Sequence, residues 1–164
     1  KKINIIYRNY NKENNYSEII ELIKFCKFHN RKIYISNHLK FAMKYDLDGL
    51  YIPSFNKKLS FKNLSKKRKF RIIGSAHSIE EINIKEKQGC EEIFISPLFL
   101  NKKNSNFLGV TKFYNLSKFT KKKIIALGGI NEKNLRLLRC LNINGFAAIN
   151  WIKKNRPVIP GRFN

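Results

Sequence analysis

The groups best suited to chemistry sit near the carboxyl end of the chain, in two glycine-bearing segments. Ala126-Leu127-Gly128-Gly129-Ile130-Asn131 and Gly145-Phe146-Ala147-Ala148-Ile149-Asn150 each read as a short apolar strand ending at a turn that opens a helix. A ligand phosphate can approach a backbone that lacks a Cβ. The first N–H groups of a helix have no partner inside it, so an anion can take them. The competing account of Gly128-Gly129 is a turn that lets a helix pack closely on a strand.

Further polar groups recur wherever a strand is expected to end. In chain order these are Arg8 and Asn9, Ser36 and Asn37, Ser54 and Asn56, Ser75 and His77, Ser96 with Lys102 and Lys103, then Gly128-Gly129, and last Asn150. Amides and hydroxyls dominate. His77 could move a proton, or it could hydrogen-bond locally at a helix start. Ser75 has no base beside it except His77 and no G-x-S-x-G elbow around it, so it reads as a ligand-binding hydroxyl rather than a nucleophile. Lys102 and Lys103 belong to a polar stretch, Leu98 to Gly109, that suits a lid or substrate loop; a merely solvated loop accounts for them equally well. No carboxylate stands at these strand ends, which disfavours a tightly held Mg2+. His29, His38 and His77 are scattered with no cysteine near them, which disfavours zinc.

The elements that must position these groups alternate along the chain. Strands are expected at Ile3–Tyr7, Lys32–Ile35, Gly49–Ile52, Phe70–Gly74, Glu92–Ser96, Lys123–Leu127 and Gly145–Ile149. Several are apolar on both faces, as a buried parallel sheet requires. Between them lie helical patterns. Asn15 and Glu18 suggest a capping box, ahead of a face made by Ile19, Leu22, Ile23 and Cys26. His38–Lys44 is a short helix and Asn63–Lys67 a weaker candidate. Ser78 and Glu81 suggest a second box, with Gly89 as the stop. Val110–Phe119 follows, then a helix capped by Asn131 bearing Leu135, Leu138 and Leu141, and a last turn at Trp151–Lys154. Such alternation gives βαβ units and a parallel sheet. An open dinucleotide sheet would place G-x-G-x-x-G after the first strand; Tyr7-Arg8-Asn9-Tyr10-Asn11 has no glycine. The expected fold is therefore a single α/β domain over residues 1–164, a TIM (β/α)8-type barrel with seven strands, lacking the first strand and helix. An open barrel leaves two unpaired edges, so preceding residues or a second copy of the chain (a homo-oligomer) would have to cover the gap.

Composition narrows the class. The chain has 164 residues, enough for one domain with a real core, and 43% of them are hydrophobic. It contains no apolar run of about 18 residues that would span a membrane, and Lys1-Lys2-Ile3-Asn4 lacks the apolar stretch of a signal peptide. Cys26, Cys90 and Cys140 are odd in number and far apart, which suggests reduced structural thiols in a cytoplasmic protein. The net charge of +23 would suit a nucleic-acid partner. The positive charges are spread over nearly every segment, however, and no recognition-helix or RNP-like pattern accompanies them. A basic surface still draws anionic ligands.

In order and spacing, these segments resemble the thiamine phosphate synthase/TenI family. Ile5-Ile6-Tyr7-Arg8 resembles its second barrel strand, Ile35-Ser36-Asn37-His38 its third, and Asp48-Gly49-Leu50-Tyr51-Ile52 its fourth. Gly74-Ser75-Ala76-His77-Ser78 resembles its serine-x-histidine turn, and Ser96-Pro97-Leu98-Phe99 its Pro-x-Phe ending. Leu108-Gly109, Ala126-Leu127-Gly128-Gly129-Ile130 and Gly145-Phe146-Ala147-Ala148-Ile149 complete the series.

The resemblance implies a closed barrel that joins hydroxymethylpyrimidine pyrophosphate to thiazole phosphate, giving thiamine phosphate and pyrophosphate. It makes the chain a transferase of the thiamine-phosphate diphosphorylase type. It implies that Gly128, Gly129, Ile149 and Asn150 hold the thiazole phosphate, with Gly109 nearby. It assigns Ser75 to the pyrimidine side, Lys102 or Lys103 to the phosphates, and Arg8 and Asn37 to substrate binding. Loss of pyrophosphate leaves a benzylic-like cation that the protein must shelter while neutralising the leaving group. The family also implies Mg2+. Its synthases carry Gln and Lys around the second-strand arginine, where this chain has Ile6 and Tyr10. They carry Asp where this chain has Asn37 and Asn56. The histidine of the TenI tautomerases corresponds to Pro97. A binding protein for thiazole phosphate, without catalysis, is thus a second expectation, and a basic nucleic-acid-binding protein a third.

Overall fold

The structure is a computed structural model, and it describes residues 3–9, 16–61, 70–100, 106–149 and 151. The chain divides into two compact units, Lys1–Ile93 and Phe94–Asn164.

The first unit runs β1 (Ile5–Tyr7), α1 (Tyr16–Phe28), β2 (Ile33–Ser36), α2 (Leu39–Lys44), β3 (Gly49–Ile52), β4 (Arg71–Ala76) and α3 (Ile79–Lys87). Its strands pair in chain order and in parallel, with Ile6 opposite Tyr34, Ile35 opposite Leu50 and Tyr51 opposite Ile73. β2 and β3 are buried along their whole length, which explains sequences that are apolar on both faces. Asp48 fixes one register from the side: its carboxylate accepts the Ile33 N–H at 2.9 Å.

The helices of this unit end alike. After α1, α2 and α3 a residue with left-handed backbone (Asn30, Asp46, Gly89) breaks the helix. Its N–H reaches back three residues, and the next N–H reaches the carbonyl five residues before it, as with Cys90 to Lys85. This paired closure satisfies carbonyls that the helix end would otherwise leave open. The expected face of α1 holds: Ile19, Ile23 and Cys26 are buried. The start of α3 differs in detail from a capping box. Ser78 accepts the Glu81 N–H at 3.3 Å, but the Glu81 carboxylate takes the amide of His77, one residue before the cap, at 2.6 Å.

β5 (Glu92–Ile95) carries the chain from the first unit into the second, which continues with α4 (Gly109–Ser117), β6 (Lys123–Leu127) and β7 (Gly145–Ala147). β6 and β7 pair in parallel, with Leu127 opposite Ala147. Asn144 repeats here what Asp48 does in the first unit, accepting the Ile124 N–H at 2.9 Å. α4 buries Phe113 and Leu116.

All seven expected strands are present. Two expectations need correction. β4 runs two residues further than its expected end, so Ser75 lies within a strand and not in the turn after it. The helix expected beyond Asn131 is a 3₁₀ helix, Leu135–Cys140, with Leu138 buried and Leu137 exposed. Three apolar residues at this spacing bury too little to hold several α-helical turns. Asn131 still caps what precedes it, accepting the Lys133 N–H at 2.9 Å. The capping residue Asn15, the candidate helix at 63–67 and residues 152–154 lie outside the described residues.

Candidate functional site

In the first unit, the functional candidates gather where β1, β2 and β3 end. Arg8 follows β1, and its guanidinium lies over the ring of Tyr51 in β3, 5.3 Å from the centroid. Asn37 follows β2 with φ 61°, a conformation that asparagine tolerates better than most residues. Its N–H donates to the Tyr51 carbonyl at 3.1 Å. Asn56, in the loop after β3, donates from Nδ2 to Asn37 Oδ1 at 2.8 Å, and its own Oδ1 accepts the Lys58 N–H at 3.0 Å. The side chains of Asn37 and Asn56 are therefore bonded to each other.

That loop is held by two side chains that sequence reasoning missed. Lys85 on α3 is fully buried, and so is Gln88. The Lys85 ammonium donates to the carbonyls of Pro53 and Asn56 and to Gln88 Oε1, each at 2.9 Å. Gln88 Nε2 donates to the carbonyls of Asn56 and Lys58, both at 2.8 Å. Burial pulls the Lys85 ammonium down from its ordinary value to about 8. A signal for this network stood in the sequence: Ile79, Ile82, Lys85 and Gln88 recur every third residue, so two polar residues continue an apolar stripe. Buried Lys is rare unless its donors are met.

Ser75 is buried in β4 and His77 is exposed. A cleft of about 470 Å3 opens in this unit, lined among others by Asn9, Ser36, His38, Lys40 and Lys44. Ser36 and His38 are the chain neighbours of Asn37.

In the second unit, Gly109, Gly128 and Gly129 come together around the segment that leaves β5 through a cis Ser96–Pro97 peptide. Leu98 and Phe99 donate their N–H groups to the carbonyls of Leu127 and Gly128, at 2.9 and 3.0 Å. Leu108 and Gly109 donate to those of Pro97 and Leu98, at 2.9 and 3.0 Å. Gly128 and Gly129 both have positive φ, 98° and 67°. A Cβ on Gly128 would stand 2.8 Å from Pro97 Cα, and one on Gly129 would come against the Phe99 and Leu100 carbonyl oxygens. The space without a Cβ is thus filled by the protein's own backbone. This corrects the idea that the missing Cβ itself admits a phosphate: the glycines serve close packing. The turn nonetheless keeps groups that an anion could use. Neither Gly129 nor Ile130 donates its N–H to a protein acceptor among the described residues. Asn131 and Asn134 hold the turn by donating to the Gly129 carbonyl, at 3.1 and 2.9 Å.

Of the remaining candidates, Ile149 is exposed, while Asn150, Lys102 and Lys103 lie outside the described residues. Cys26 and Cys90 are buried thiols and Cys140 is exposed. No three His, Cys, Asp or Glu side chains cluster as a metal site among the described residues. No described helix is long and apolar enough to cross a membrane.

Comparison with known proteins sets this geometry in context. Residues 3–152 match the family described as thiamine monophosphate synthase (TMP-TENI). The thiamine-phosphate synthase of Prochlorococcus marinus strain SARG is 32% identical over 145 residues, 83% of this chain and 40% of that protein. That of P. marinus subsp. pastoris is 32% identical over 146 residues, 87% of this chain and 41% of that protein. The chain spans about two fifths of the length of these curated relatives. Among solved structures, a thiamine phosphate pyrophosphorylase from Pyrococcus furiosus superposes with a TM-score of 0.69 at 19% identity, covering 85% of this chain and 70% of that one. One from Bacteroides thetaiotaomicron gives 0.64 at 21% identity, covering 98% and 76%. These likenesses establish the fold as α/β of the TIM-barrel type.

Proposed function

This chain belongs to the thiamine monophosphate synthase family, and from that premise we propose that it serves thiamine biosynthesis by binding thiazole phosphate. The phosphate would lie on the Gly129 and Ile130 N–H groups, with Ile149 and Asn150 contributing from the following βα turn. The observation that carries this reading is a turn whose Gly129 and Ile130 amides meet no protein acceptor among the described residues, in a chain that matches the family from residue 3 to 152. Unpaired backbone N–H groups at a turn favour an oxyanion over any neutral ligand.

In the full reaction, the bond from the pyrimidine methylene carbon to pyrophosphate oxygen breaks, and its electron pair leaves with pyrophosphate. The thiazole nitrogen lone pair then forms the new carbon–nitrogen bond. Ser75 would meet the pyrimidine, and Arg8 would oppose the charge of the leaving group. His77, whose amide is taken by Glu81, would act from an exposed position.

A second reading is favoured by one observation. The family's aspartate positions are a bonded pair of amides, Asn37 and Asn56. On this reading the chain binds thiazole phosphate without turning it over.

Calorimetric titration tests the shared claim. Thiazole phosphate should bind, and the thiazole alcohol, which lacks the phosphate, should bind at least about tenfold more weakly. Equal affinity for the two would overturn the proposed cradle. A pyrophosphate-release assay with both precursors then separates the readings: sustained release supports the synthase, and none supports the binding protein.

A further inference from the structure

We propose that the ends of β2 and β3 form a metal-free grip for a phosphate or pyrophosphate group, built on the Asn37–Asn56 amide pair and locked by Lys85 and Gln88. The inference does not rest on thiazole phosphate binding, which concerns the other unit.

Hydrogen bonding fixes which way the amides face. The Lys58 N–H donates to one terminal atom of Asn56, so that atom is the oxygen. The other is therefore the NH2, and the Asn37 atom it reaches at 2.8 Å must be an oxygen. That leaves the Asn37 NH2 facing away from the pair, with no acceptor among the described residues. The pair thus spends its oxygens internally and turns N–H donors outward.

A divalent ion needs the reverse. Mg2+ requires near-octahedral oxygens, with carboxylates preferred. Here both side-chain oxygens already accept, and so do the nearby carbonyls of Pro53, Asn56 and Lys58. The charges point the same way. The Lys85 ammonium lies 2.9 Å from the Asn56 carbonyl, and its donors go to neutral oxygens. The Arg8 guanidinium lies over Tyr51, whose carbonyl accepts the Asn37 N–H. A cation placed here meets the charges of Arg8 and Lys85, whereas a multiply charged oxyanion meets donors and positive charge.

The test titrates the full chain with inorganic pyrophosphate, first in EDTA and then with excess Mg2+. Asn37→Asp is the decisive variant. It keeps the oxygen that Asn56 uses and the tolerance for left-handed backbone, but replaces the outward NH2 with a negative oxygen. Wild type should bind pyrophosphate in EDTA. The variant should lose at least about tenfold of that affinity while its affinity for thiazole phosphate stays unchanged. Asn37→Gly, which also suits the backbone, should lose binding as well if the Asp variant unfolds. Mn2+ paramagnetic resonance should show no ion bound to wild type. Absence of pyrophosphate binding in EDTA, binding that needs Mg2+, indifference to both variants, or Mn2+ uptake lost in Asn37→Gly would each overturn the proposal. Failure of thiazole phosphate to bind would leave this test standing, because its probe and its variants are separate.

Discussion

The ends of β2 and β3 and the turn after β6 are two strand ends shaped by opposite means. In the first, side chains do the shaping: Lys85 and Gln88 reach from α3 to three loop carbonyls, and Asn37 and Asn56 close on each other. In the second, backbone meets backbone: Gly128 and Gly129 lie against Pro97–Leu100 with no room for a Cβ. A side-chain network can be rewired one residue at a time, so its ligand preference can drift from carboxylate to amide while the loop keeps its path. A backbone turn has little such freedom, because nearly every substitution collides.

The contrast can be broken, and the largest effect should come from Gly129→Ala. The new methyl group meets the Phe99 and Leu100 carbonyl oxygens, and the positive φ adds strain, so the loss should be about 3 kcal/mol or more. Thermal unfolding would show it as a fall of roughly 6–12 °C. A neutral result would mean that the two backbones are not in contact.

Lys85→Met should come next. It leaves the Pro53 carbonyl and Gln88 Oε1 without their buried donor, and the Asn56 carbonyl with Gln88 alone, at a cost of about 2 kcal/mol in urea unfolding. An unchanged midpoint would show that Gln88 alone holds the loop. Asn134→Ala removes a bond to the Gly129 carbonyl and the acceptor for the Asn131 N–H, at about 1 kcal/mol. This side-chain contribution to the second region should be smaller than that of the glycine it supports.

A last effect, read on the wild type against a variant, is one of pH. Burial lowers the Lys85 ammonium from 10.5 to about 8. Below pH 8 folded and unfolded chains both carry the proton, and the folded state bears the full cost of burying it. Between about 8 and 10.5 the folded chain releases it first, so the contribution of Lys85 to stability rises with pH. Urea unfolding at pH 7 and pH 9.5 should show wild type gaining relative to Lys85→Met. A parallel course for both proteins would contradict the assignment.

The fold was legible because its signals are local and repeated. Short apolar strands such as Gly49–Ile52, Ser78 ahead of α3 and Gly89 after it each announce themselves within a few residues. The site was less so. Arg8, Asn37 and the double glycine could be named from the sequence, but the role of the glycines could not: their crowding partner, Pro97–Leu100, lies some thirty residues away. Ser75 differs from its expected place because β4 runs on to Ala76, past Gly74, the last residue paired with β3. Lys85 looked like one more lysine in a lysine-rich chain. Its spacing from Ile79 and Ile82 and its burial on α3 distinguish it.

The most direct measurement of the central claim is a nuclear magnetic resonance titration of the amide-labelled chain with thiazole phosphate. Saturable shifts centred on the Gly129 and Ile130 amides, absent with the thiazole alcohol, are the expected result. Shifts confined to the first unit, or none near Gly129 at saturation, would contradict it.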